Sequence, residues 1–265
     1  MHMKPQLLSY AIASLLVPAI AAAQTPDKKQ WDVRAAVYGY FPYIGGHARL
    51  AVPGGGEIDI QSDDLVRNTE VAGMVAIEAQ RGRVGLFADE IYMNVSDEIA
   101  DSPKLGQGTV PLLPGVTADA ALDIEASVFT VAANFRVVDS ERNTFDAFAG
   151  ARILWVEGTL DATLRSPPGP LASIASRAED DGVDAIVGVK GKVSLGETRW
   201  FLPYYVDVGA GDADRTSQAA LGIGRNLRFG EVFGTYRYLD YDFKDESLLA
   251  DLDLSGPAIG VSYRF

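Results

Sequence analysis

The sequence predicts an all-β protein: a closed antiparallel transmembrane β-barrel of about ten strands, with eight or twelve as the alternatives. Three observations carry this. The final segment alternates, with Ile259, Val261, Tyr263 and Phe265 on one face and Ala258, Gly260, Ser262 and Arg264 on the other. An apolar, aromatic face opposite a small or polar one fits a wall between lipid and a polar lumen. Beyond the first 23 residues, no run approaches the roughly 20 apolar residues of a spanning helix. A sheet that crosses lipid must then close on itself, because lipid satisfies no free strand edge. Finally, the connections alternate between short turns and longer excursions, which predicts short periplasmic turns and longer extracellular loops.

Residues 1–23 read as a secretory signal peptide and residues 24–265 as the barrel. Lys4 begins a basic region, an apolar stretch covers 7–17, and Ala21, Ala22 and Ala23 offer a small-residue cleavage site. A first strand is expected over 31–43, where Val33, Ala35 and Val37 alternate with Asp32, Arg34 and Ala36. A polar stretch follows, with a small hairpin from 47–52 and 57–60. The second wall strand falls near 70–80, the tight turn at Arg81, Gly82 and Arg83, and the third strand over 84–95. The stretch 97–118 reads as a loop. The fourth strand covers 120–138 and the fifth 144–160, joined by the polar turn 139–143. A long proline-rich loop is expected over 166–182. Strands six to nine follow over 183–195, 199–209, 216–229 and 231–243. A loop at 244–250 precedes the tenth.

The sixth strand separates its faces most clearly. Ala185, Val187, Val189, Gly191, Val193 and Leu195 fall outward, and Asp184, Ile186, Gly188, Lys190, Lys192 and Ser194 inward. The same reading sends Arg152, Asp207 and Arg237 inward. Asp89 and Glu90 are adjacent and must part, so Asp89 is placed inward. Glu90 is left as an outward anomaly that should lie near a rim or be hydrated. The expected lumen charge network is Glu78, Asp89, Arg152, Lys190, Lys192, Asp207 and Arg237, with Arg264 near the periplasmic end. Both signs occur, and around ten strands enclose a narrow space, so these groups are expected to pair. The aromatic residues Trp31, Tyr38, Tyr40, Phe41, Trp155, Trp200, Tyr204, Tyr205, Tyr236, Tyr238, Tyr241 and Tyr263 are expected at the membrane interfaces.

Catalysis finds little support. His2 and His47 are the two histidines, His2 leaves with the signal, and no triad signature surrounds His47. The protein is therefore expected not to be an enzyme. With no cysteine, neither a disulfide framework nor a cysteine-ligated metal can form, and no cofactor or metal site is expected. The run Pro53, Gly54, Gly55, Gly56 lacks the lysine of a phosphate loop. Acidic residues grouped at Asp97, Glu98 and Asp101, at Glu179, Asp180 and Asp181, and at Asp245, Glu246, Asp251 and Asp253 read as solvated loop acids. Bridging of divalent cations to lipopolysaccharide phosphates is the sharper alternative. A formal charge of −13 argues against nucleic acid as a partner.

Several segments resemble those of a group of small Gram-negative outer-membrane β-barrel proteins, with barrels of the OmpA and OmpW kind as fold analogies. These segments are residues 40–46 (YFPYIGG), 82–89 (GRVGLFAD), 149–152 (AGAR), 205–209 (YVDVG), 236–242 (YRYLDYD) and the terminal strand. The resemblance implies a monomeric barrel in the cell outer membrane, with lipid and lipopolysaccharide around it. Ile259, Val261, Tyr263 and Phe265 resemble the C-terminal signal read by the barrel-assembly machinery. It implies no catalytic residue. The expected role is structural or in surface interaction, with a largely plugged polar lumen. The alternatives are a narrow porin-like channel for ions or small solutes and, last, a lipid-modifying enzyme.

Overall fold

A computed structural model describes residues 30–265 except 53–55, 62–68, 100–116, 141, 167–168 and 245–248. The signal segment lies outside the described residues, as do Asp101, Asp245 and Glu246. Twelve strands are described: β1 (Asp32–Tyr40), β2 (Tyr43–Val52), β3 (Gly56–Gln61), β4 (Thr69–Arg81), β5 (Val84–Ile99), β6 (Thr117–Asp139), β7 (Asn143–Ser166), β8 (Gly169–Ser194), β9 (Trp200–Gly211), β10 (Ala213–Asn226), β11 (Gly230–Phe243) and β12 (Leu249–Arg264). Neighbours pair antiparallel in the order β1, β4, then β5 through β12, and β12 pairs back with β1. The wall is therefore a closed barrel of ten strands. β1 and β2 are two halves of one wall strand, since both pair with β12. They are interrupted at Phe41 and Pro42, because proline has no N–H to donate to the ladder. β3 pairs with β2 as the expected hairpin and adds to it outside the ring.

Closure requires tilted strands, so a row of directly opposed residues climbs the wall. One such row runs Val232, Val261, Val37, Val75, Glu90, Phe129, Ile153, Val183. It starts two residues above the β10–β11 turn and ends beside Asp212 at the far rim. Seven of its eight members are apolar and all point outward, so the row traces the lipid belt. Leu221 is 63% exposed and Ile259 64%, as a lipid-facing wall demands and a water-soluble sheet would avoid. Glu90 sits in the row, outward as expected but fifth of its eight members rather than near a rim. It accepts a hydrogen bond from the Ser127 hydroxyl (3.3 Å), and the neighbouring Tyr92 hydroxyl donates to Glu125 (3.1 Å).

The periplasmic turns are tight. Gly82 (φ 60°) and Gly196 (φ 62°) adopt the left-handed conformation that their turns need. Ser140 closes the β6–β7 turn through reciprocal bonds with Asn143. At the β10–β11 turn, Leu227 N–H donates to the Gly230 carbonyl. β10 thus ends at Asn226, and Phe229 belongs to the turn rather than to the strand expected over 216–229.

The external side corrects the sequence reading. The expected loop over 166–182 is mostly strand, because β7 and β8 continue to Ser166 and Gly169 as a hairpin. Asp97 and Glu98 lie in β5, Glu179, Asp180 and Asp181 in β8, and Asp251 and Asp253 in β12. They are strand residues, not loop acids. Above the bilayer both faces of a strand meet water, so pairing continues without the apolar alternation that betrays a strand. His47 likewise lies within β2, opposite Asp251 and Gln61.

Candidate functional site

Among the described residues, the lumen is where strands from around the ring bring side chains together. Each expected network residue points inward and has a partner. Three ion pairs cross the interior. Arg237 on β11 donates to Asp89 on β5 (2.6 Å), Lys190 on β8 to Glu78 on β4 (2.8 Å), and Lys192 on β8 to Glu231 on β11 (2.5 Å). Arg136 on β6 makes a bidentate bond to Asp146 on β7 (2.8 and 2.9 Å) and approaches Glu78 at 3.8 Å. At the periplasmic end Arg264 holds Asp32 (2.7 Å), which also faces Arg34 (3.5 Å). Arg136, Asp146 and Glu231 were missed by sequence reasoning. Their inward parity was readable in the strands, but nothing in the chain order pairs β8 with β4 or β11.

Arg152 is the most enclosed charge, with 0% exposure. Its guanidinium is paired with Asp207 and donates to Thr216 (3.0 Å), Gln218 (3.1 Å) and Thr130 (3.4 Å). β8 lies between β7 and β9 here, and Gly188 makes room. A Cβ on Gly188 would strike the Val206 carbonyl, the Phe148 ring and Asp207. A buried charge must be paired and hydrogen-bonded to be tolerated, and this one is.

Above the transverse ion pairs the lumen is mainly apolar, with the buried Asp184 carboxylate accepting from the Ala213 N–H (2.9 Å) at the level of this layer. Tyr40, Met74, Ile91, Met93, Val128, Leu154, Leu239, Tyr241 and Leu254 form one buried cluster drawn from seven wall strands. This corrects two expectations. The lumen is not polar throughout, and Tyr38, Tyr40, Tyr205 and Tyr241 are not interfacial. Tyr40 and Tyr241 belong to the apolar layer, Tyr38 packs against it, and Tyr205 stacks on Phe148 with ring centroids 5.1 Å apart. Their partners lie on other strands inside the lumen, which proximity to a strand end does not reveal. A signal was present: alternation fails in the external part of the wall, as in Ile153, Leu154, Trp155, Val156, because both faces are apolar there. The other aromatics do face out. Trp31, Phe41, Trp200, Tyr236, Tyr238 and Tyr263 are exposed, and Tyr204 lies over Gly191 with its hydroxyl on the Thr144 carbonyl (3.0 Å).

Beneath the apolar layer lies a cavity of about 260 Å³. Its floor residues, Arg34, Thr144, Lys192, Phe201, Glu231 and Ser262, sit one or two positions from the periplasmic strand ends. Its ceiling is formed by Met74, Gln218 and Arg237, and its walls by Tyr38, Phe87, Tyr205 and Phe233. The arrangement is a charged chamber at the periplasmic end, capped on the external side by close-packed hydrocarbon. Such a space can hold a small solute, and an apolar constriction can gate by excluding water. Among the described residues no group of three or more histidine or acidic side chains is placed to hold a metal ion.

No protein-family model matches the chain, and no curated protein matches it. Solved outer-membrane barrels do resemble it. The outer-membrane protease OmpT from Escherichia coli aligns over 93% of this chain and 99% of its own, at 13% identity and a TM-score of 0.47. Ail, the attachment invasion locus protein of Yersinia pestis, aligns over 89% and 99% at 9% identity and a TM-score of 0.34. The CymD monoaromatic hydrocarbon channel aligns over 89% of each chain at 8% identity and a TM-score of 0.36. The likeness is to Gram-negative outer-membrane barrels in general and singles out neither the OmpA nor the OmpW kind.

Proposed function

We propose that this outer-membrane barrel is a narrow porin-like channel for ions or small solutes, held closed by its apolar layer. One observation carries the reading: among the described residues, the chamber begins at the periplasmic strand ends and stops at side chains. The wall continues past the cap, and among the described residues Tyr40, Ile91, Leu239, Tyr241, Leu254 and their neighbours stand between the chamber and the external side. Side chains can change rotamer where backbone cannot. The charges below the cap are paired across the space, which keeps the chamber hydrated without leaving any ion unbalanced. Catalysis forms no part of this proposal. Lipid and lipopolysaccharide are the surrounding partners, and the C-terminal strand is proposed as the assembly signal.

Planar-bilayer recording tests it. The natural protein is expected to show rare, small openings, and Leu239→Ser with Leu254→Ser is expected to raise open probability by polarising the cap. If neither protein conducts while both remain folded, the barrel is sealed, and its role lies in structure or surface contact. The projection of β6, β7 and β8 beyond the belt favours that second reading.

A further inference from the structure

The chamber holds hydrogen-bond capacity that the protein leaves unused, and its sign is informative. Arg237 is 7% exposed and Gln218 2%. Both line the ceiling. Arg237 spends its two terminal nitrogens on Asp89, and Gln218 spends its carbonyl on Arg152. Arg237 Nε and Gln218 Nε2 remain without a partner. A buried donor left unmatched carries a desolvation cost, so its persistence calls for an explanation. Both of these atoms donate, and the third unpartnered buried group on the lining, the Tyr205 hydroxyl, can donate or accept. Of the chamber's charged lining, five groups are cationic and four are carboxylates, and the fifth cation, Arg34 near the mouth, faces Asp32 at 3.5 Å. The walls between mouth and ceiling are the rings of Tyr38, Phe87 and Phe233.

We propose that the chamber is a binding site for a small organic monoanion, with a carboxylate at the Gln218 and Arg237 ceiling and an apolar body along the aromatic wall. An acceptor there would take up both free donors. An ammonium head would meet donors and gain nothing. The inference names the solute class of the channel reading. It is read at equilibrium, so its failure and the absence of conductance are separate results.

Isothermal titration of the full barrel in detergent tests it, with benzoate as probe and benzyl alcohol and benzylammonium as controls. Benzoate is expected to bind at one saturable site, at least about tenfold tighter than either control, a factor equal to about 1.4 kcal/mol. Ala220 lies in register between Tyr205 and Arg237, and it lines the chamber. Ala220→Phe is expected to fill the space and abolish binding, and Gln218→Leu to weaken benzoate selectively. Equal uptake of the three probes by the natural protein would overturn the proposal, whatever the variants do. So would benzoate binding that survives a folded Ala220→Phe.

Discussion

Arg152 and Asp207 show what a charge inside this wall requires. Neither side chain has exposed surface, and the guanidinium is further held by Thr130, Thr216 and Gln218. Removing one partner strands the other in a medium that cannot solvate it. Arg152→Met is expected to destabilise the refolded barrel by about 3–5 kcal/mol, whereas Arg152→Met with Asp207→Leu recovers much of the loss. Urea unfolding in lipid reads both. On the outer face the penalty follows depth. Leu221→Lys places a charge in the belt and is expected to cost about 2–4 kcal/mol, against about 0–1 for Phe229→Lys in the periplasmic turn. Equal costs would mean that the belt is misplaced.

At the scale of elements, β7 and β8 have two regimes. Up to Trp155 and Val183 they belong to the wall. Beyond, they form a polar hairpin in which Arg177 bonds Glu157 (2.7 Å) and Glu179 (3.0 Å). Exposed pairs of this kind contribute little, so the extension is not what holds the barrel together. Thr159 and Arg177 are opposed in register. Replacing 160–176 by an Asn-Gly turn is therefore expected to change unfolding stability by less than about 1 kcal/mol. Loss of folding in that variant would show that the hairpin supports the wall. This hairpin was also the least legible element. Its small and polar residues carry no lipid face, and Pro167, Pro168 and Pro170 read as a loop.

The molecule as a whole is a tube with two unlike halves. Transverse ion pairs brace the periplasmic half, and among the described residues a mainly apolar cluster occupies the lumen beyond them. Access to the chamber should therefore be one-sided. The chain has no cysteine, so single thiols can be introduced cleanly. In intact cells, a bulky impermeant maleimide is expected to label Ser173→Cys on the external hairpin and to leave Ala76→Cys in the chamber unlabelled until the envelope is opened. Labelling of Ala76→Cys from outside would show that the cap does not close the lumen.

Period-two alternation was enough to determine the wall, its parity and the inward placement of Glu78, Asp89, Arg152, Lys190, Lys192, Asp207 and Arg237, because lipid imposes one chemistry on every outward position. Which charges meet, and that Tyr40 and Tyr241 join a buried apolar cluster, came only from tertiary structure. Pairing across a barrel depends on shear and register around the full ring, and residues far apart in the chain, such as Asp89 and Arg237, become neighbours only once the last strand has joined the first.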